Sequence, residues 1–164
     1  RLGCLNFSLR RIHRAAGQGI HAALRNRSQI VSDLDPSLPW LEALKWDADG
    51  MIPAIAQDAG SGRVVMFAFM NRDSLVESIR SGNAVYWSRS RRRLWRKGEE
   101  SGHYQKIRSI RTDCDGDVLL LAIEQVGGIA CHTGRESCFF NALEGERWVP
   151  ADPVLKDPKE IYAK

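Results

Sequence analysis

The sequence predicts an α+β fold, mainly antiparallel sheet with one clear helix. Three observations carry that prediction. Six or seven short segments have strand character, the longest apolar runs being VVMFAFM (64–70) and VLLLAI (118–123). Only NRDSLVESIRSG (71–82) carries helix signals at both ends. The strands do not alternate with helices, as a parallel sheet would require. With 164 residues the chain can build one domain with a real core.

Residues 1–32 hold six arginines and no Asp, Glu or Lys. Three origins stay open for this leader: an upstream start site or cloning remnant, an organellar transit peptide, or a basic membrane or nucleic-acid arm. With the two-proline linker DLDPSLPW (33–40), residues 1–39 are expected to lie outside the core. Residues 40–164 are expected to form the single domain. IPAIAQD (52–58) and VVMFAFM flank AGSGR, a two-glycine loop suited to a hairpin. In the helix, Asn71 suits the N-cap, Asp73 the positive first turn and Gly82 the left-handed C-terminal position. Leu75 and Ile79 share one helix face.

AVYWSRS (84–90) follows as a strand, and RRRLWRKGEESG (91–102) reads as a charged loop. HYQKIRSIRTD (103–113) alternates like a half-buried strand, and VLLLAIEQV (118–126) reads as a buried one. CFFNALEGERWV (138–149) predicts a hairpin turning near Glu144 and Gly145. The proline-rich tail is expected to run over the surface.

The formal charge of +4 is misleading as a single number. Without the leader, 18 basic face 20 acidic side chains, so the body is mildly acidic. That argues against nucleic-acid binding by net charge. No apolar run reaches the length of a spanning helix. The four cysteines would suit disulfides in a secreted protein, but no secretory signal pattern occurs. The sequons at Asn6 and Asn26 would matter only in such a protein. A reducing cytoplasm is the expected compartment.

Three clusters could carry chemistry. In TDCDGD, Asp113, Asp115 and Asp117 alternate with Cys114 and Gly116. An extended backbone would send the carboxylates to one side and the thiol to the other. Three converging carboxylates call for a hard cation such as Mg²⁺ or Ca²⁺, and the thiolate suits Zn²⁺. An EF-hand loop starting at Asp113 would place its bidentate ligand at Glu124, but its sixth position is Val118 and an apolar run follows. The alternative is a solvated acidic turn with a core cysteine.

In ACHTGRESCF, Cys131 and Cys138 could form a disulfide, Cys131 could pair with His132 as a nucleophile, or both cysteines could bind metal. The metal reading needs a third thiolate, and Cys114 is the only other cysteine of the body. Three thiolates leave one tetrahedral position for water, as catalytic zinc requires. His132 then serves as a proton-transfer group beside that water, or as a loop-stabilising histidine. Residues 88–103 crowd Arg89, Arg91, Arg92, Arg93, Arg96 and Lys97 around two tryptophans. They could hold substrate phosphates, contact nucleic acid or form a solvated hairpin.

WRKGEESGH, DCDGD and ACHTGRESCF, with IPAIAQD, FMNRDSL and YWSRSR upstream, resemble the phosphoribosyl-AMP cyclohydrolase family of histidine biosynthesis. The likeness runs from about Trp40 to Val149, and DPVLKDPKEIY is similar to the tail of monofunctional bacterial members. The resemblance implies hydrolysis of the N1–C6 bond in the adenine ring of 1-(5-phosphoribosyl)-AMP by zinc-activated water, opening the ring to the formimino-carboxamide ribotide. It implies Zn²⁺ on Cys114, Cys131 and Cys138 and Mg²⁺ on Asp113, Asp115 and Asp117. It also implies an intertwined homodimer whose zinc site draws on both chains. With the chain ending at residue 164, no fused pyrophosphohydrolase is expected. On this reading His132 is catalytic, and Arg89, Arg91 and Lys97 bind substrate. No nucleic acid or membrane is needed.

Overall fold

The computed structural model of the chain describes residues 39–163, so the expectations for the leader lie outside the described residues. A four-residue helix, α1 (Pro39–Glu42), begins inside the segment read as linker and buries Leu41 completely. The Trp46 indole donates to the Leu41 carbonyl at 2.9 Å, turning the chain toward the first strand.

Strand β1 (Met51–Asp58) buries Ile52, Ala54 and Ala56 and leaves the residues between them half-covered. This is the period-two pattern of a strand with one face on the core. Asp58 closes the turn that follows: its Oδ1 accepts from the backbone of Gly60 (3.1 Å) and Ser61 (2.8 Å) and from the Ser61 hydroxyl (2.9 Å). Strand β2 (Val64–Asn71) returns antiparallel.

Helix α2 (Arg72–Ser81) begins as expected, with more support than Asn71 alone gives. The Asn71 side chain accepts from the Ser74 amide at 2.9 Å, and the Ser74 hydroxyl accepts from the Asn71 amide at 2.8 Å. This reciprocal cap satisfies two otherwise unpaired donors. Gly82 ends the helix at φ 71°.

Strand β3 (Val85–Ser88) pairs with β4 (Arg93–Arg96). The segment expected as a charged loop therefore contains a strand. Its arginines hid the pattern, because an exposed hairpin needs no apolar alternation. Strands β5 (Gln105–Thr112) and β6 (Leu119–Gln125) form the next hairpin.

The six strands order as β4-β3-β2-β1-β6-β5. All pairs are antiparallel except β1 with β6, whose register matches Ala54 with Leu119. An isolated bridge between Asn83 and Lys106, and the Ala84 amide donating to the Gln105 carbonyl at 2.8 Å, tie the approach to β3 onto β5. The sheet curls accordingly, and its inner face holds the core of Ile52, Val65, Met70, Tyr86, Leu121 and Ile123, with Leu75 of α2 packed against it. Each large side chain buried there contributes about 1.5–3 kcal/mol of transfer free energy.

The expected second hairpin forms a separate two-stranded sheet, β7 (Asn141–Glu144) with β8 (Arg147–Pro150), turning at Gly145. The tail ends in α3 (Pro158–Ile161) and buries Ile161, so it docks instead of merely crossing the surface. The described residues all belong to one compact unit, Leu34–Lys164. None of their helices is long and apolar enough to cross a membrane.

Candidate metal centre

The β5–β6 turn brings Asp113, Asp115 and Asp117 together, with one carboxylate oxygen of each within 4.8 Å of the others. Strand alternation is not the cause, because residues 113–118 form a bend. Asp113 Oδ1 accepts from the amides of Gly116 (3.1 Å), Asp117 (3.1 Å) and Val118 (3.2 Å), folding the turn around one oxygen. Gly116 takes φ 79°, a conformation that suits glycine. Desolvation raises the Asp113 carboxyl, but hydrogen bonds from the Val118 backbone and from Asp115 and Asp117 outweigh it and hold the group at about 2. Asp117 moves the other way, because its hydrogen bond to Asp113 favours the protonated form. Lys45, 3.8 Å from Asp115, supplies an exposed counter-charge. Three exposed carboxylates sharing protons in this way fit a hard divalent cation.

Cys131 and Cys138 stand on the loop after β6, and neither forms a disulfide. The Cys131 amide donates to the Arg135 carbonyl at 3.0 Å, and the Gly134 amide donates back to the Cys131 carbonyl at 3.1 Å. This tight turn doubles the chain back between the two cysteines. The Cys138 amide anchors the returning arm on the Val65 carbonyl at 2.8 Å. Cys131 is buried, and its sulfur lies 3.0 Å from the Thr133 hydroxyl. Cys138 exposes part of its surface, yet desolvation of its sulfur, then the proximity of Cys131, push its thiol up to about 12. His132 is exposed on the same turn.

The loop is held from outside by elements that sequence patterning passed over. Arg63 reaches Glu136 at 2.7 Å and also pairs with Asp152. The tail amide of Leu155 donates to the Gly134 carbonyl at 2.8 Å. Gly134 has φ 80°, and a Cβ there would collide with the Lys156 carbonyl. A glycine between two candidate ligands was the available signal.

Cys114 does not join the other two cysteines within the chain. Among the described residues the acidic triad is the one cluster of three or more candidate ligands. The seven-residue strand β6 stands between Cys114 and the loop of Cys131, a length of roughly 20 Å.

The basic residues also divide. Arg89 and Arg91 lie on the β3–β4 turn, where Arg92 adopts φ 49°. Lys97 lies at the hairpin base, its amide donating to the Ala84 carbonyl at 3.1 Å. Arg89 stacks 3.9 Å over the Phe69 ring and lines an open cavity of about 630 Å³ with Asn71, Trp87 and Arg92. Asp49 and Met51 on its far wall belong to the segment whose Lys45 amide donates to the Gly116 carbonyl of the acidic turn at 2.7 Å.

Fold and site together define an α+β protein with a carboxylate centre and a paired-thiol centre on one curled sheet. Comparison with known proteins gives the family. Residues 66–140 match the phosphoribosyl-AMP cyclohydrolase family model, a span holding every candidate ligand named above. A phosphoribosyl-AMP cyclohydrolase of Dechloromonas aromatica (strain RCB) is 83% identical over 132 residues, covering 80% of this chain and 99% of that protein. Proteins of the same name from Nitrosomonas europaea (61% over 125 residues, 76% of this chain and 97% of that protein) and Azoarcus sp. (59% over 131 residues, 79% and 100%) are also similar. The chain belongs to the phosphoribosyl-AMP cyclohydrolase family.

Proposed function

We infer that the chain is a hydrolase that opens the adenine ring of 1-(5-phosphoribosyl)-AMP in histidine biosynthesis, cleaving the cyclic amidine bond between N1 and C6. The observation that carries this reading is the 83% identity to a phosphoribosyl-AMP cyclohydrolase matched over 99% of its length.

The donor sets fit two metals. Asp113, Asp115 and Asp117 would hold Mg²⁺, and Cys131 and Cys138 would hold Zn²⁺ with Cys114. Zinc on thiolates supplies a water acidic enough to act as nucleophile near neutral pH. Water adds its oxygen at C6, and the N1–C6 bond breaks as a proton passes to N1. His132, exposed on the turn that carries Cys131, would relay that proton. Arg89 would offer its guanidinium fork to one phosphate in the cavity that Trp87 also lines, and Arg91, on the same β3–β4 turn but outside that lining, would assist it.

The working unit is a homodimer, its zinc site shared between chains. Two observations support this. Cys114 is held apart from Cys131 by the length of β6. The β7–β8 arm also exposes Leu143 (59%) and Trp148 (70%), an apolar face suited to a second copy of the chain. The domain reading assigns the chemistry to residues 40–164 and leaves 1–39 outside it. A compartment without strong oxidants, such as the cytoplasm, suits the free thiols.

The deciding experiment is incubation of the protein with phosphoribosyl-AMP while the adenine absorbance is followed, with and without a chelator. Turnover that stops on chelation and returns with zinc supports the reading. A folded, zinc-loaded protein that leaves the substrate intact refutes it.

A further inference from the structure

The loop that leads to Cys131 is laid out around one side-chain amide. Gln125 is the last residue of β6, and its Nε2 donates to the carbonyls of Ile129 (3.1 Å), Tyr104 (3.3 Å), Val126 (3.3 Å) and His103 (3.4 Å). The chain wraps the amide this tightly because Gly127 and Gly128 take φ 75° and 69° in succession. Ile129, at the end of the wrap, is buried. The next two residues open the thiol turn: the Ala130 amide donates to the Glu136 carbonyl at 3.2 Å and the Cys131 amide to the Arg135 carbonyl at 3.0 Å.

The orientation of the Gln125 amide is fixed from the core. Backbone carbonyls only accept, so this cluster of them demands its NH₂ and turns its Oε1 the other way. That oxygen meets Gln105, whose Nε2 donates at 2.9 Å. The Gln105 Oε1 then faces Tyr86, whose hydroxyl donates at 2.7 Å. Every bond runs in one direction, from Tyr86 on β3 through Gln105 on β5 to Gln125 at the end of β6. Tyr86 and Gln105 are fully buried, so water cannot replace a bond that is lost. A buried polar chain with every member satisfied is rigid.

We propose that Gln125 is a positioning residue of the thiol centre, oriented by Tyr86 and Gln105, and that this hydrogen-bond chain sets where Cys131 stands. The inference rests on the metal reading above. An apolar side chain of the same length would fill the same space, but it would leave the Ile129 carbonyl without this donor two residues before a candidate ligand. Groups that orient ligands from behind typically change metal affinity by about 10–100-fold.

The test compares wild type with Gln125→Met, which keeps the length and removes the amide, with Tyr86→Phe, which removes only the hydroxyl, and with the double variant. Thiolate-to-metal bands are recorded for the cobalt-loaded proteins, zinc loss to a chromophoric chelator is titrated at pH 7, and kcat and KM are measured. Gln125→Met should shift the bands, release zinc about tenfold more readily and lower kcat about tenfold with KM within about twofold. Tyr86→Phe should do the same more weakly. The double variant should be no worse than Gln125→Met, since Tyr86 acts through Gln125. Circular dichroism identifies a variant that fails to fold, and if Gln125→Met does, the bands of Tyr86→Phe decide. A folded Gln125→Met with wild-type bands and zinc affinity overturns the proposal, as does a double variant whose losses simply add. If wild type turns over phosphoribosyl-AMP and the variants match it, the family reading stands and this inference alone falls. Wild type that binds no metal through its cysteines ends both.

Discussion

Cys114 and Cys131 flank the same strand: one stands on the turn that enters β6, the other on the loop that leaves it. A strand paired on both sides, as β6 is with β1 and β5, cannot fold back to bring its two ends to one ion. An ion held by both sulfurs would therefore take them from two chains.

Chain mixing tests this. Cys114→Ala and Cys131→Ala should each abolish activity and tight zinc binding. Mixed under conditions of subunit exchange, they should recover roughly a quarter of wild-type activity, since about half the dimers are mixed and each has one intact site. Exchange confirmed by mass spectrometry with no recovery would count against the shared site.

Gly134→Ala should weaken the docking of the tail onto the thiol loop. Its φ is 80°, and the added methyl meets the Lys156 carbonyl. The strain costs about 1–3 kcal/mol. Thermal unfolding should register the loss, and limited proteolysis should cut the tail faster.

Asp58 should make the β1–β2 hairpin acid-sensitive. Hydrogen bonding from the Ser61 backbone is the chief cause that lowers its carboxyl below the ordinary 3.8, and burial opposes it. A lowered folded value means that the contribution is complete above 3.8 and disappears as pH falls through the folded value. Asp58→Ala should cost about 1 kcal/mol at pH 7, with solvent screening keeping the figure small. The wild-type advantage in urea unfolding should shrink below pH 3.8.

The acidic turn should bind divalent ions less well in acid. The raised carboxyl of Asp117 keeps its proton at higher pH than a free aspartate, and a cation must displace that proton. Mn²⁺ titration by calorimetry should show weaker binding at pH 4.5 than at pH 7, and Asp115→Asn should lose at least about tenfold at pH 7.

Arg89→Ala should raise KM for phosphoribosyl-AMP by about tenfold and leave kcat within about twofold, the pattern of lost uniform binding. A fall in kcat with unchanged KM would place Arg89 at the reacting bond instead.

Local chemistry made much of this legible. Asn71 and Gly82 bound their helix because capping depends on residues next to it. The strands β1, β2 and β6 show in apolar runs of suitable length. The β4 strand was hidden because an exposed, arginine-rich hairpin buries too little to leave a period, and α3 because one turn of helix carries too few positions. For TDCDGD the convergence of carboxylates was expected and found, but from a turn folded around Asp113 Oδ1 and not from alternation along a strand.

The sequence by itself determined the family, the candidate ligands and the helix with its caps, because residue type and short spacing encode these directly. Only the tertiary structure decided which groups meet. It separated Cys114 from Cys131 by a strand, buried Lys97 at the hairpin base away from the tip that carries Arg89, and closed the tail over Gly134. Those relations arise from sheet order and register, which pair residues far apart in the chain and so leave no local trace in it.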